Sequence, residues 1–122
     1  MESRGELGRR GERLVARWLR RRRYRVLHRN LRVGRYEADL ILLAPDGTIV
    51  VAEVKTRTSG LTAPEMAVNP RKQRHLVAIA LELGRRVPYV DAMFRFDVIA
   101  VVWPPGGGPT IRHFESAFEY GS

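Results

Sequence analysis

A chain of 122 residues with 44% hydrophobic content is long enough for one packed domain, spanning 1–122, and too short for a second lobe. No apolar run approaches the roughly 20 residues that span a bilayer, and the N-terminus is charged rather than signal-like, so the composition argues for no membrane partner and a cytoplasmic protein. With no cysteine, disulfides, thiolate metal sites and thiol nucleophiles are excluded together, and a metal here would be a hard divalent cation held by oxygen or imidazole.

The net charge of +9 and a pI near 11.1 point to a polyanionic partner, nucleic acid foremost. Arginine outnumbers lysine 20 to 2, a bias that codon usage or a hot habitat also produces.

Ser3 to Glu6 has the form of a helix-capping box, and Leu7, Leu14, Val15, Trp18 and Leu19 recur at helical spacing, which predicts a first helix from about Arg4 to Arg22. Gly8 and Gly11 share its apolar face and allow close approach to a sheet. "YRVLHRNLR" predicts a first strand, and Gly34 turns the chain into a second from Tyr36 to Ala44. "APDGT" turns it again into a third strand that ends near Lys55. Thr56 to Val68 has no period and reads as a loop. Asn69-Pro70 then opens a second helix that buries Leu76, Val77, Ile79, Ala80 and Leu83 and stops at Gly84. "FRFDVIAVV" is a fourth strand, "PPGGGP" a turn and "TIRHFE" a fifth strand. The order is an α/β sandwich, a mixed sheet flanked by helices.

The second and third strands carry Glu37, Asp39, Glu53 and Lys55 among residues suited to burial. Ala44-Pro45-Asp46-Gly47-Thr48 suits a three-residue hairpin loop with a bulge at the glycine, a register that sets Ala44 against Thr48. Counting outward, Ile41 faces Val51, Asp39 faces Glu53 and Glu37 faces Lys55, all on one face. Two opposed carboxylates, Cβ atoms roughly 5 Å apart, repel unless a cation lies between them. Mg²⁺ or Mn²⁺ would accept Asp39, Glu53 and the Val54 carbonyl as oxygen ligands, and Lys55 would stand beside it to stabilise charge on a phosphate. The same residues also suit an ordinary Glu37–Lys55 ion pair at a wet sheet end, with Asp39 capping a backbone turn.

Asp39 followed by Glu53-Val54-Lys55 across a hairpin resembles the PD-(D/E)XK nuclease signature. "GERLVARWL", "YRVLHRN", "YEADLI", "VAEVKTR" and "RFDV", in this order, are similar to the YraN-type family of bacterial proteins, related in fold to archaeal Holliday junction resolvases. The resemblance covers nearly the whole chain. It implies a restriction-endonuclease-like αβββαβ core with an extra C-terminal strand. It further implies a metal-dependent nuclease acting on branched or structured DNA, with Asp39 and Glu53 as metal ligands, Lys55 as catalytic lysine and Glu12 as an added acidic residue from the first helix. A homodimer is the assembly a two-strand cut would require. Tyr36, Val15 and Ala38 depart from the family pattern but leave the chemical groups intact. A fold can also persist as a catalytically silent DNA-binding or assembly module.

Glu12 alternatively pairs with Arg9 or Arg13 on the helix surface. Arg9, Arg13 and the run Arg20, Arg21, Arg22 and Arg23 suit phosphate contacts or a solvated basic turn. Lys72 and Gln73 open the second helix, where a phosphate or solvent would meet them. His28, His75 and His113 show no zinc spacing and read as surface or partly packed. Trp18 belongs to the apolar stripe, whereas Trp103 closes a strand.

Overall fold

The computed structural model describes residues 2–62 and 66–119. Helix α1 (Arg4–Arg21) precedes three strands, β1 (Arg25–Val33), β2 (Tyr36–Leu43) and β3 (Ile49–Arg57). Helix α2 (Pro70–Gly84) then crosses to β4 (Phe94–Val102) and β5 (Thr110–Phe118). The sheet order is β1-β2-β3-β4-β5, antiparallel except for the β3–β4 pair, which the α2 crossover makes parallel. This is an α/β fold of the restriction-endonuclease-like type, as the element order predicts. β3 runs two residues past Lys55, so the expected loop begins at Thr58; its residues 63–65 lie outside the described residues.

Both helices start where side chains replace missing turn partners. The Glu6 N–H donates to Ser3 Oγ at 3.1 Å, and the Lys72 N–H donates to Asn69 Oδ1 at 2.9 Å with Pro70 just inside. The strands alternate cleanly. Leu40, Leu42, Val50, Ala52, Ile99 and Val101 pack with Val15 and Leu19 of α1, while Ile41, Val51, Phe96 and Val98 pack with Leu76, Ile79 and Leu83 of α2. A sheet covered on both faces thus explains strands with apolar residues in both alternating sets.

α1 lies against β3 at one glycine. A Cβ built on Gly11 would stand 2.0 Å from Thr56 Oγ1 and 2.9 Å from its Cβ. Gly8, expected to serve the same purpose, has nothing within 4 Å of its Cβ position, so one glycine carries the contact.

Candidate active site

The β2–β3 turn decides the register. The Ala44 N–H donates to Thr48 O at 2.8 Å, the Gly47 N–H donates to Ala44 O at 3.0 Å, and Gly47 takes φ of 91°, the left-handed value that a bulged three-residue loop needs. The ladder follows as Leu43–Ile49, Leu42–Val50, Ile41–Val51 and Leu40–Ala52. The expected Asp39–Glu53 pair would be the next step, just past the end of this ladder, and Glu53 is near enough to act on the Asp39 carboxyl.

The ladder ends at Leu40–Ala52. β2 leaves β3 there while staying paired with β1 through Leu31–Ala38. Ala38 joins the α2-side core although it is in phase with Leu40 of the α1 side, so β2 turns over across Asp39. In an unbroken ladder the Val54 N–H would donate to the Ala38 carbonyl; here it donates to Asp39 Oδ2 at 2.7 Å. One carboxylate therefore caps Val54 of β3 at the point where β2 leaves it. The expected Glu37–Lys55 facing pair lies beyond the end of the ladder. Glu37 pairs instead with Arg32 of β1 at 2.9 Å, and Lys55 Nζ donates to the Ala67 carbonyl at 2.9 Å.

The electrostatics mark this opening. Burial raises the Asp39 carboxyl above its ordinary value; the Val54 N–H pulls it back, Glu53 raises it again, Lys72 lowers it and Glu37 raises it. Glu12 reaches the same place from α1, one residue after the close contact of Gly11. Burial raises its carboxyl first, then Asp39 and Glu37, against Arg29 and Arg9. Glu12, Glu37, Asp39 and Glu53 are thus an acidic group whose members feel one another. Lys72, whose Nζ donates to the Glu37 carbonyl at 3.1 Å, is a counter-charge for it.

The donor set is all oxygen, which suits a hard divalent cation bound by one or two carboxylates together with carbonyl, water and phosphate oxygens. Among the described residues no group of three or more Asp, Glu or His side chains is gathered closely enough to hold a metal. Of the expected ligands, Asp39, Glu53 and the Val54 carbonyl would supply such oxygens, and Glu12 is electrostatically coupled to Asp39 from α1.

Other sequence-predicted residues fall elsewhere. Gln73 turns its amide to the Val68 carbonyl at 2.8 Å, a local cap of α2. Arg9 is close enough to influence Glu12, and Arg13 is exposed on the same helix. Arg20–Arg23 lie at the far end of α1, about 16 Å along the axis from Gly11. Arg22 there covers the Trp18 ring at 3.6 Å. Trp103 is covered by Arg10 at 3.8 Å. A cleft of about 700 Å³ lined by Val77, Leu81, Phe94, Phe96 and Phe118 contains none of the four carboxylates, so cavity size does not locate the chemistry.

Sequence reasoning missed a second polar cluster, at Asp97. Its side chain is fully buried and accepts from Arg95 Nε and Nη2 at 2.9 and 2.8 Å, and from the Ser116 N–H at 3.0 Å. His113 Nε2 lies 2.6 Å away. Arg95 Nη2 also donates to Tyr24 Oη at 2.8 Å. His113, expected at the surface or partly packed, is partly buried and packs into this network. An aspartate inside the apolar run "FRFDVIAVV" was the available signal, since a buried acid demands partners.

Element order and sheet topology define an α/β protein with a restriction-endonuclease-like fold. A family model described as "Uncharacterised protein family UPF0102" matches residues 11–101. A UPF0102 protein of Geobacter sulfurreducens is 45% identical over 115 residues, covering 93% of this chain and 88% of the relative. One from Anaeromyxobacter dehalogenans is 42% identical over 120 residues, covering 97% and 87%; one from Porphyromonas gingivalis is 39% identical over 120 residues, with the same coverage. The chain belongs to the UPF0102 family, the YraN-type group that its motifs resemble. No helix among the described residues is long and apolar enough to cross a membrane.

Proposed function

We propose that this protein is a metal-dependent nuclease that hydrolyses phosphodiester bonds in branched or otherwise structured DNA. The observation that carries the reading is the opening between β2 and β3, where burial and then the nearby Glu53 and Glu37 disfavour the charged form of Asp39. A fold keeps such carboxylates together only against a compensating advantage, and a divalent cation between them is the simplest one.

Mg²⁺ or Mn²⁺ held by Asp39, Glu53 and the Val54 carbonyl would supply Lewis acidity at a phosphate oxygen and bring water to neutral-pH reactivity. The chain's own groups do the rest. Asp39 is oriented by the Val54 N–H and so presents its carboxylate without reorganisation. Lys55 follows Glu53 by two residues and shares its strand face, which lets its ammonium exchange the Ala67 carbonyl for a phosphate oxygen as negative charge grows there. Glu12 holds a proton to higher pH than an ordinary glutamate and can accept one near the reacting water. Hydrolysis adds water across one P–O bond, leaving a phosphate monoester on one strand end and a hydroxyl on the other.

Calorimetric titration with Mn²⁺ tests the cation claim. Wild type should bind, and Asp39→Asn and Glu53→Gln should each lose at least tenfold in affinity; equal affinity in all three proteins would defeat it. A second reading, a silent DNA-binding module, is favoured by the engagement of the Lys55 amine with Ala67 and by the lack of a three-ligand cluster among the described residues. It predicts DNA binding without metal-dependent cleavage.

A further inference from the structure

α2 opens with Pro70-Arg71-Lys72-Gln73-Arg74-His75. At 100° per residue Arg71, Arg74 and His75 share one arc, while Lys72 falls in the first turn of the arc along which Leu76, Ile79 and Leu83 face the core. The His75 side of the helix meets the β1–β2 turn. Its ring stacks on Tyr36 with centroids 4.4 Å apart and planes 24° from parallel. The Arg35 guanidinium stands 5.7 Å from the Tyr36 ring centroid. Burial and then the neighbouring Arg71, Lys72, Arg35 and Arg74 push the His75 pKa down, so four cations are felt at one ring. Arg35, Arg71 and Arg74 are exposed. Glu37, the carboxylate nearest in the chain to this turn, already holds Arg32.

We infer that the DNA backbone lies along this ridge, on Arg35 of the β1–β2 turn and Arg71 and Arg74 of α2, with the stacked Tyr36 and His75 as its floor and Lys72 joining it to the acidic opening. The inference rests on the nuclease reading and gives that site its substrate-binding surface. Clustered cations repel one another, and a run of phosphates relieves the repulsion while releasing counterions. The distances match a strand leaving the site. Tyr36 is three residues from Asp39 along β2, about 10 Å, which corresponds to about three nucleotides of duplex rise. Arg20–Arg23 lie at the C-terminal end of α1, about 16 Å along the axis from Gly11, and serve as the comparison surface.

The test is fluorescence anisotropy of a labelled duplex and a labelled four-way junction in Ca²⁺, over about 50 to 200 mM salt. Wild type is compared with Arg35→Gln/Arg71→Gln/Arg74→Gln and with a variant carrying glutamine at all four of Arg20 to Arg23. Because log K falls by about 0.9 per duplex phosphate neutralised, the ridge variant should lose up to about 2.7 from the salt slope and at least tenfold in affinity at low salt. Its melting temperature should be unchanged, since the three side chains are exposed. The Arg20–Arg23 variant should keep the slope within about 0.9 of wild type. An unchanged slope in the ridge variant, a larger loss in the Arg20–Arg23 variant, or no salt-dependent binding by wild type would overturn the inference. Cleavage in Mg²⁺, measured on the same proteins, separates the claims: a wild type that binds through the ridge without cutting supports the ridge and removes the nuclease reading.

Discussion

Asp39 is held in a position that favours its protonated form, and this fixes the sign of its effect on stability. Its native pKa is raised above the ordinary value, so the native state binds more protons than the unfolded state between the two values, and stability falls as pH rises through that window. Asn at this position keeps an oxygen for the Val54 N–H and removes the charge. Asp39→Asn should therefore melt no lower than wild type at pH 7 in EDTA, and the difference should vanish below about pH 3, where both side chains are neutral. A lower melting temperature at pH 7 would show that the charge is not under strain. Lys55 makes a separate prediction. Lys55→Arg should rescue cleavage poorly compared with wild type, because a planar guanidinium cannot replace a compact ammonium held against the Ala67 carbonyl; single-turnover rates of the two proteins check it.

At the scale of elements, the seating of α1 on β3 depends on Gly11. Helix propensity alone would make Gly11→Ala stabilising by about 1 kcal/mol, as expected at Gly8, where space is open. The Thr56 side chain leaves no such space, so Gly11→Ala should instead cost about 1–3 kcal/mol in urea denaturation as the helix lifts from the sheet. A stabilised Gly11→Ala protein would refute the close contact. The Asp97 network fixes β4, β5 and Tyr24 to one another, with Asp97 abreast of Ala52 of β3. Burial would raise the Asp97 carboxyl, but His113, Arg95 and the Ser116 N–H outweigh it and hold it below the usual value. Its contribution is present above the unfolded value near 3.8 and is lost as pH falls through the native one. Asp97→Ala should cost about 3–5 kcal/mol at pH 7, and the gap to wild type should narrow in acid; denaturation at both pH values measures it.

Across the molecule, the two polar clusters have different origins, and that explains what the sequence could reveal. Turn chemistry at Pro45-Asp46-Gly47 is local, so the β2–β3 register as far as Leu40–Ala52 was legible in the sequence. The end of the ladder was not. Where β2 parts from β3, Asp39 takes the Val54 N–H, a long-range substitution that no spacing announces, while Glu37 meets Arg32 as its direct partner in the β1–β2 register. The joining of Glu12 to the acidic group depends on how closely α1 approaches the sheet, which Gly11 hinted at and Thr56 decides. Asp97 and His113 lie 16 residues apart on neighbouring strands, and only the β4–β5 register brings them together.

Whether the opening between β2 and β3 cuts DNA is tested most directly by single-turnover cleavage of a four-way junction in Mg²⁺, with binding followed in parallel in Ca²⁺. Wild type should cut, and Asp39→Asn and Lys55→Ala should each slow cleavage by about 10²-fold or more while binding changes far less. Wild type that binds without cutting, or Lys55→Ala that cuts as fast as wild type, would contradict it.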